Sequence, residues 1–272
     1  MPPEQETALK QDEMQDKFSD TEIVVKIDPY NQNERDLFRA HKRVPALQVK
    51  YSDSNWLLNN PVDDLVGPDQ TLILTEWEDG DKLLGRDPDD VFDRLMELEE
   101  HVDIAFLGDR WTYEVMTPRQ NRKQIMRSVE AQKYLFHRFE EVNADFELRP
   151  TILGWKSWHL ERNRPLVKLM GGPVGFDATG YRSKYELAKD VNRVIDVLGA
   201  EVYINGRIGP THLEYMPSEV CAFSGKSALL KETKVGDEFS RDLLDSSVEK
   251  RLQAVNDSQT ELRQFFDQIA GD

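Results

Sequence analysis

Eight short apolar or β-branched runs in this chain each end in residues with chemical potential. The first gives Asp28, and the second leads to Asp53 in "YSDSNW". The third ends in "TEWEDG", with Glu76 and Asp79, and the fourth in "FLGDRW", with Asp109 and Arg110. The fifth gives Trp155 and Lys156 in "ILGWKSW", and the sixth Gly171 and Gly172. The last two give Asn205, Gly206 and Arg207 in "INGRIG", then Ser224, Gly225 and Lys226 in "AFSGKS". Carboxylates suit acid–base or nucleophilic work, and Arg207 and Lys226 suit a phosphate. Glycine lets the backbone come close to a ligand. Loops also gather polar residues for solubility alone, so no single acid is diagnostic. Asp109 is the best individual candidate, because it follows an apolar run directly and sits beside Arg110 and Trp111.

Several familiar chemistries do not fit. The lone cysteine, Cys221, excludes an internal disulfide and a multi-cysteine zinc site. It lies inside an apolar run, which reads as a buried thiol. The five histidines show no HExxH-type spacing, so no metal is expected. "SGKS" is not a P-loop, since the first glycine of GxxxxGK[ST] would fall on Val220. The sequence implies no cofactor.

Residues with this spacing need a scaffold that brings strand ends together. The runs at 22–27, 45–51, 71–77, 102–108, 148–155, 164–170, 200–205 and 218–223 read as strands. Helical patterns separate most of them. "DPDDVFDRLMELEEH" has apolar residues at i, i+3, i+4 spacing. A long helix starts after Thr117, a natural N-cap, with Pro118 in its first turn, and the "SKYELAKDVNRVIDVLG" helix stops at Gly199. Eight strand–helix units predict a (β/α)8 barrel, with a doubly wound open parallel sheet as the alternative. In a barrel the strand ends above form one ring, and Gly171–Gly172 would lie in the loop over its mouth. Residues 1–20 lack apolar periodicity and are expected to be a disordered acidic tail. The barrel then spans 21–236, and 237–272 forms a C-terminal helical extension packed on it.

The 272 residues carry 51 acids against 35 bases, a net charge of −16. Dispersed acids of this kind suit a halophilic source, where they keep a protein soluble in concentrated salt. They oppose unaided electrostatic binding of nucleic acid at ordinary salt, though a local basic groove is compatible with them. No run approaches a membrane span and the N-terminus lacks a signal-peptide pattern, so a soluble, cytoplasmic protein is expected.

Over roughly residues 100–230 the order of features resembles the tRNA-guanine transglycosylase family. "VDIAFLGDRWTYEVMTP", followed by a helix with "QKYLFHRF", is similar to that family's strand, base-recognising acid and proline-containing loop. "PTILGW", "LVKLMGGPVG" and "INGRIGPTHLEYMPSEVCAFSGKS" resemble its later strand ends. The trimmed phage and haloarchaeal relatives that insert deazapurines into DNA are closest in type. The resemblance implies replacement of guanine by a 7-deazaguanine, in DNA rather than tRNA. It gives Asp109 a base-recognising role and Asp53, in a partial match to DSGG, the role of general base. Ser224 falls where the family has its nucleophilic aspartate, and the zinc ligands of the tRNA enzymes are missing. The other readings are a barrel enzyme for a small phosphorylated substrate held by Arg207 and Lys226, and a non-catalytic barrel that binds nucleic acid or protein.

Overall fold

The computed structural model describes residues 21–78, 86–112 and 114–270, with side chains to residue 257. The predicted tail of residues 1–20 and Asp79 lie outside the described residues. Strands and helices alternate: β1 (Glu22–Lys26), α1 (Gln32–Phe38), β2 (Ala46–Lys50), α2 (Ser54–Asn59), β3 (Thr71–Thr75), α3 (Pro88–Glu97), β4 (Ile104–Phe106) and α4 (Pro118–Val142). Then come β5 (Glu147–Arg149), β6 (Thr151–Ile152), α5 (Ser157–Leu160), α6 (Arg164–Met170), β7 (Val174–Asp177), α7 (Lys184–Leu198), β8 (Val202–Asn205), α8 (Pro210–Leu213), β9 (Val220–Gly225) and α9 (Ser227–Thr233). A small hairpin leads into the final helix, α10 (Arg241–Ala270).

Every pairing in the main sheet is parallel, in the order β5-β4-β3-β2-β1-β9-β8-β7-β6. The two ends of that order, β5 and β6, are separated in the chain by Pro150 alone. They act as two halves of one stave, so the sheet curls into a nearly closed, TIM-barrel-like α/β fold. Proline has no N–H to give to a ladder, which is why the stave breaks there. Side chains from α4 cover the break. Gln132 accepts the Thr151 N–H (2.8 Å) and donates to the Thr151 carbonyl (3.0 Å) and to Ser128 (2.9 Å). Ser128 in turn donates to the Gly108 carbonyl (2.5 Å), just past β4.

Strand alternation divides the core in two. Ile23, Val25, Leu47, Val49, Leu72 and Leu74 face the helices. Val24, Ala46, Ile73, Ile104, Phe106, Tyr203 and Ala222 fill the barrel with Trp77. Trp77, Phe106 and Tyr203 pack with ring centroids 4.8–5.8 Å apart. Gly175 in β7 faces this cluster, and a Cβ there would stand 2.5 Å from Trp77 and 2.6 Å from Phe106. The rings occupy the space that a side chain on β7 would need.

One expected strand is a helix. Residues 164–170 form α6, with Pro165 in the first turn and Gly171 at the C-cap. The sixth stave is the shorter "VGFD" of β7. Gly171 and Gly172 therefore precede a strand and lie at the barrel's N-terminal end, away from the mouth. Both take positive φ, and Gly172 leaves room for the Arg149 guanidinium, so these glycines serve backbone turning and packing.

The expected caps of α4 and α7 are present. The Thr117 side chain accepts from Gln120 N in a full capping box, and Gly199 ends α7 in the left-handed conformation. The C-terminal helix packs on the barrel through Leu244, Val248 and Val255. The fully buried Arg251 fixes it there. Its guanidinium donates to the Ile208 carbonyl (2.7 Å), to both carboxylate oxygens of Glu232 (2.9 and 3.0 Å) and to the Ser247 carbonyl (2.7 Å).

Candidate active site at the barrel mouth

The C-terminal ends of β1, β2, β8 and β9 surround a cavity of about 630 Å³. Its lining includes Lys26, Lys50, Arg207, Lys226, Asp28 and Asp53, with Gly206, Gly209, Gly225 and His212. In barrels this face carries the loops that do chemistry.

The cations come from strand register and loop geometry. Lys26 ends β1 on its inward face, two residues beyond Val24. Burial lowers its pKa and the neighbouring Lys50 lowers it further, while Asp177 and Glu78 oppose that shift. Lys226 sits 3.0 Å from both oxygens of the buried Glu34, which also accepts the Asp28 N–H (2.8 Å). Arg207 donates to the Thr179 carbonyl (3.0 Å), and its Nε is buried with no partner among the described residues. Both His212 ring nitrogens are likewise buried without a partner. Burial, Arg207 and Lys184 lower the His212 pKa, which favours the neutral ring.

Beneath the cavity lies a buried polar floor. Tyr203 Oη donates to Gln48 Oε1 (2.9 Å), and Gln48 Nε2 donates to Thr75 (2.9 Å) and Asn205 Oδ1 (3.1 Å). Ser224 also donates to Asn205 Oδ1 (3.0 Å), and Asn205 Nδ2 donates to Asp177 Oδ1 (2.6 Å). Ser224 and Asn205 are fully buried in this network. Their side chains shape the floor and do not line the cavity.

The opposite side of the mouth is acidic. Asp109, three residues past β4, has its pKa raised well above the ordinary 3.8 by burial, then by the charges of Asp177 and Glu76. Asp177, at the end of β7, accepts from Asn205, Thr179 Oγ1 (2.8 Å) and Thr179 N (3.3 Å). Arg86 ties Glu76 (3.0 Å) to Glu78 (2.7 Å), and Glu76 also accepts the Gly108 N–H. Arg110 remains beside Asp109, its guanidinium 3.3 Å from the Asp109 carbonyl.

Comparison of the chain with protein-family models and with curated proteins gives no match in either. Among the described residues no helix is long and apolar enough to cross a membrane. Nor do three or more His, Cys, Asp or Glu residues among them form a group that could hold a metal ion.

The expected site residues fall into five places. Asp28, Asp53, Gly206, Arg207 and Lys226 line the cavity. Asp109 and Arg110 belong to the acidic side. Asn205 and Ser224 belong to the floor. Trp155 and Lys156 follow β6, outside the cavity lining, where Trp155 packs on His159 at 5.1 Å and Lys156 lies 6.0 Å from the Trp155 ring. Gly171 and Gly172 are at the other end of the barrel. Cys221 is buried, as its sequence context suggests, and burial pushes its pKa up to about 12.

Sequence reasoning missed Lys26, Lys50, Asp177 and His212. Lys26 and Lys50 did carry a signal, because a lysine on the inward face of a buried strand calls for a reason. Asp177 was hidden because its strand was not identified.

Proposed function

We propose that the barrel mouth is the active site of a base-exchange enzyme acting on nucleic acid, with DNA favoured over tRNA. The observation that carries this reading is the division of one mouth by charge. Lys26, Lys50, Arg207 and Lys226 gather on the β1, β2, β8 and β9 side, where Asp28 and Asp53 are the acids of the cavity lining, and Asp109 and Asp177 stand outside that lining on the β4 and β7 side. A nucleotide has that same division. Its phosphate suits the cations, and its base and anomeric carbon suit the acids.

The roles follow from the environments. Asp109, pushed toward its protonated form, donates a hydrogen bond to the base. Asp177, oriented by three hydrogen bonds, attacks C1′ through a carboxylate oxygen, and the guanine leaves with the electron pair of the glycosidic bond and takes up a proton from water. Asp53 deprotonates the incoming 7-deazaguanine, which displaces Asp177 and restores the N-glycosidic bond. Ser224, buried and donating to Asn205, takes no part in this scheme, so a serine where the resembled family has an aspartate does not remove the chemistry.

The test is base exchange by the full chain at high salt, with DNA and separately with tRNA, and labelled guanine or deazaguanine bases. Incorporation that D177N abolishes and S224A preserves supports the reading. Absence of incorporation from both polymers, with folding confirmed, overturns it. The unpartnered nitrogens of Arg207 and His212 favour one other reading, a phosphate site for a small substrate. Phosphate-dependent stabilisation without base exchange would select it.

A further inference from the structure

Next to the cavity, an aromatic patch with one lysine is built from the start of α7 and the turn after α8. Tyr185 begins α7 and Tyr215 follows α8. Their rings meet edge to face with centroids 5.0 Å apart. Lys184 Nζ lies 4.2 Å from the Tyr215 ring centroid and 5.4 Å from that of Tyr185. The cluster is fixed by these contacts, yet Tyr185 is 62% exposed and Tyr215 38% exposed. The patch is continuous with the cavity through His212, which lines it and feels the charges of both Lys184 and Arg207.

A purely structural role would be to clasp α7 to the loop after β8. That role needs the inner edge of the pair and leaves the open area of Tyr185 unexplained. Lys184 reaches both rings, and Arg182 and Lys189 stand near Tyr185 in the sequence with Glu186 and Asp190 among them. Glu186 and Glu214 flank the patch and moderate that charge, so ring stacking has to supply part of any binding.

We propose that Tyr185 and Tyr215 form a stacking platform for an unpaired base next to the nucleotide held in the cavity, and that the ligand is single-stranded nucleic acid rather than a free nucleotide. This rests on the reading of the mouth as a nucleotide site. A base delivered into a barrel mouth must leave its duplex stack, and its neighbour then needs a new surface. Aromatic rings beside a cationic groove are the usual surface for that.

The experiment is fluorescence anisotropy with the full chain, using a labelled single-stranded DNA oligonucleotide of mixed sequence and, separately, labelled dGMP, over a series of salt concentrations. Y185A should weaken oligonucleotide binding about ten-fold, the usual scale for one stacked base. Y185F should keep it, since the ring is retained, and dGMP binding should be the same in all three proteins. Equal oligonucleotide affinity for Y185A and the parent protein would overturn the proposal, as would competition by duplex DNA equal to that by single strand. Tyr185-dependent oligonucleotide binding without base exchange would overturn only the proposed reaction. Base exchange with Tyr185-independent binding would overturn only the platform.

Discussion

Asp109 concentrates the electrostatic cost of the mouth in one side chain. Its pKa is raised in the folded protein by burial, Asp177 and Glu76. The folded state therefore holds a proton that the unfolded chain releases near the ordinary value of 3.8. Stability from this group is full below that pH and is lost as pH rises through the folded pKa. D109N should raise Tm at neutral pH and leave it unchanged in strong acid, while base binding falls. Thermal melts across pH check this, and a lower Tm at neutral pH would contradict it. His159 has the opposite sign. Burial and Lys156 lower its pKa to about 4, against 6.5 in the free residue. As pH falls from 6.5 to 4, the unfolded chain takes a proton that folded His159 refuses, and stability drops. H159Q should flatten the denaturation profile over that window.

At the scale of elements, the (β/α)8 plan was legible because seven of its eight staves are apolar or β-branched runs between helical patterns. The sixth was not. "RPLVKLM" has strand-like composition, but Pro165 and the Gly171 cap suit a helix end to end. "VGFD" is short and contains Gly175, whose missing side chain is a packing requirement set by Trp77 and Phe106 from other strands. No local pattern carries that information. The error then moved Gly171–Gly172 to the wrong end of the barrel and hid Asp177. The cavity lining was half legible. Asp28, Asp53, Arg207 and Lys226 follow from strand ends, whereas Lys26 and Lys50 sit inside strands and need the inward register to be noticed. Gln132 was invisible for a related reason, since nothing in a helix announces that it mends a break in a sheet. Q132M keeps the volume but leaves the buried Thr151 N–H and carbonyl unpaired. It should cost about 2–4 kcal/mol, read as a lower midpoint in chemical denaturation. A shift near zero would mean that the break needs no cover.

For the whole molecule, the excess of acids sets the response to salt. Screening weakens repulsion among exposed carboxylates, so Tm should rise as KCl increases into the molar range. A flat or falling Tm would remove the idea that the surface is adapted to concentrated salt. The C-terminal helix is integral to the barrel, because Arg251 joins α10 to Glu232 and to Ile208, a cavity-lining residue. R251A should cost about 3 kcal/mol, short of the largest values for broken buried pairs because Glu232 keeps contact with water. It should also weaken ligand binding at the mouth, which calorimetry can follow separately from stability.

The stave interrupted at Pro150 leaves a backbone amide whose partner is a side chain. The Thr151 amide is covered by the Gln132 side chain rather than by a ladder partner, so its protection depends on that side chain holding its place. Amide hydrogen exchange at Thr151 should therefore run faster than at Leu47 or Leu72, and its rate should be insensitive to changes in global stability made elsewhere. The ring of staves has a built-in seam, closed by one glutamine side chain where the other staves are closed by ladder hydrogen bonds.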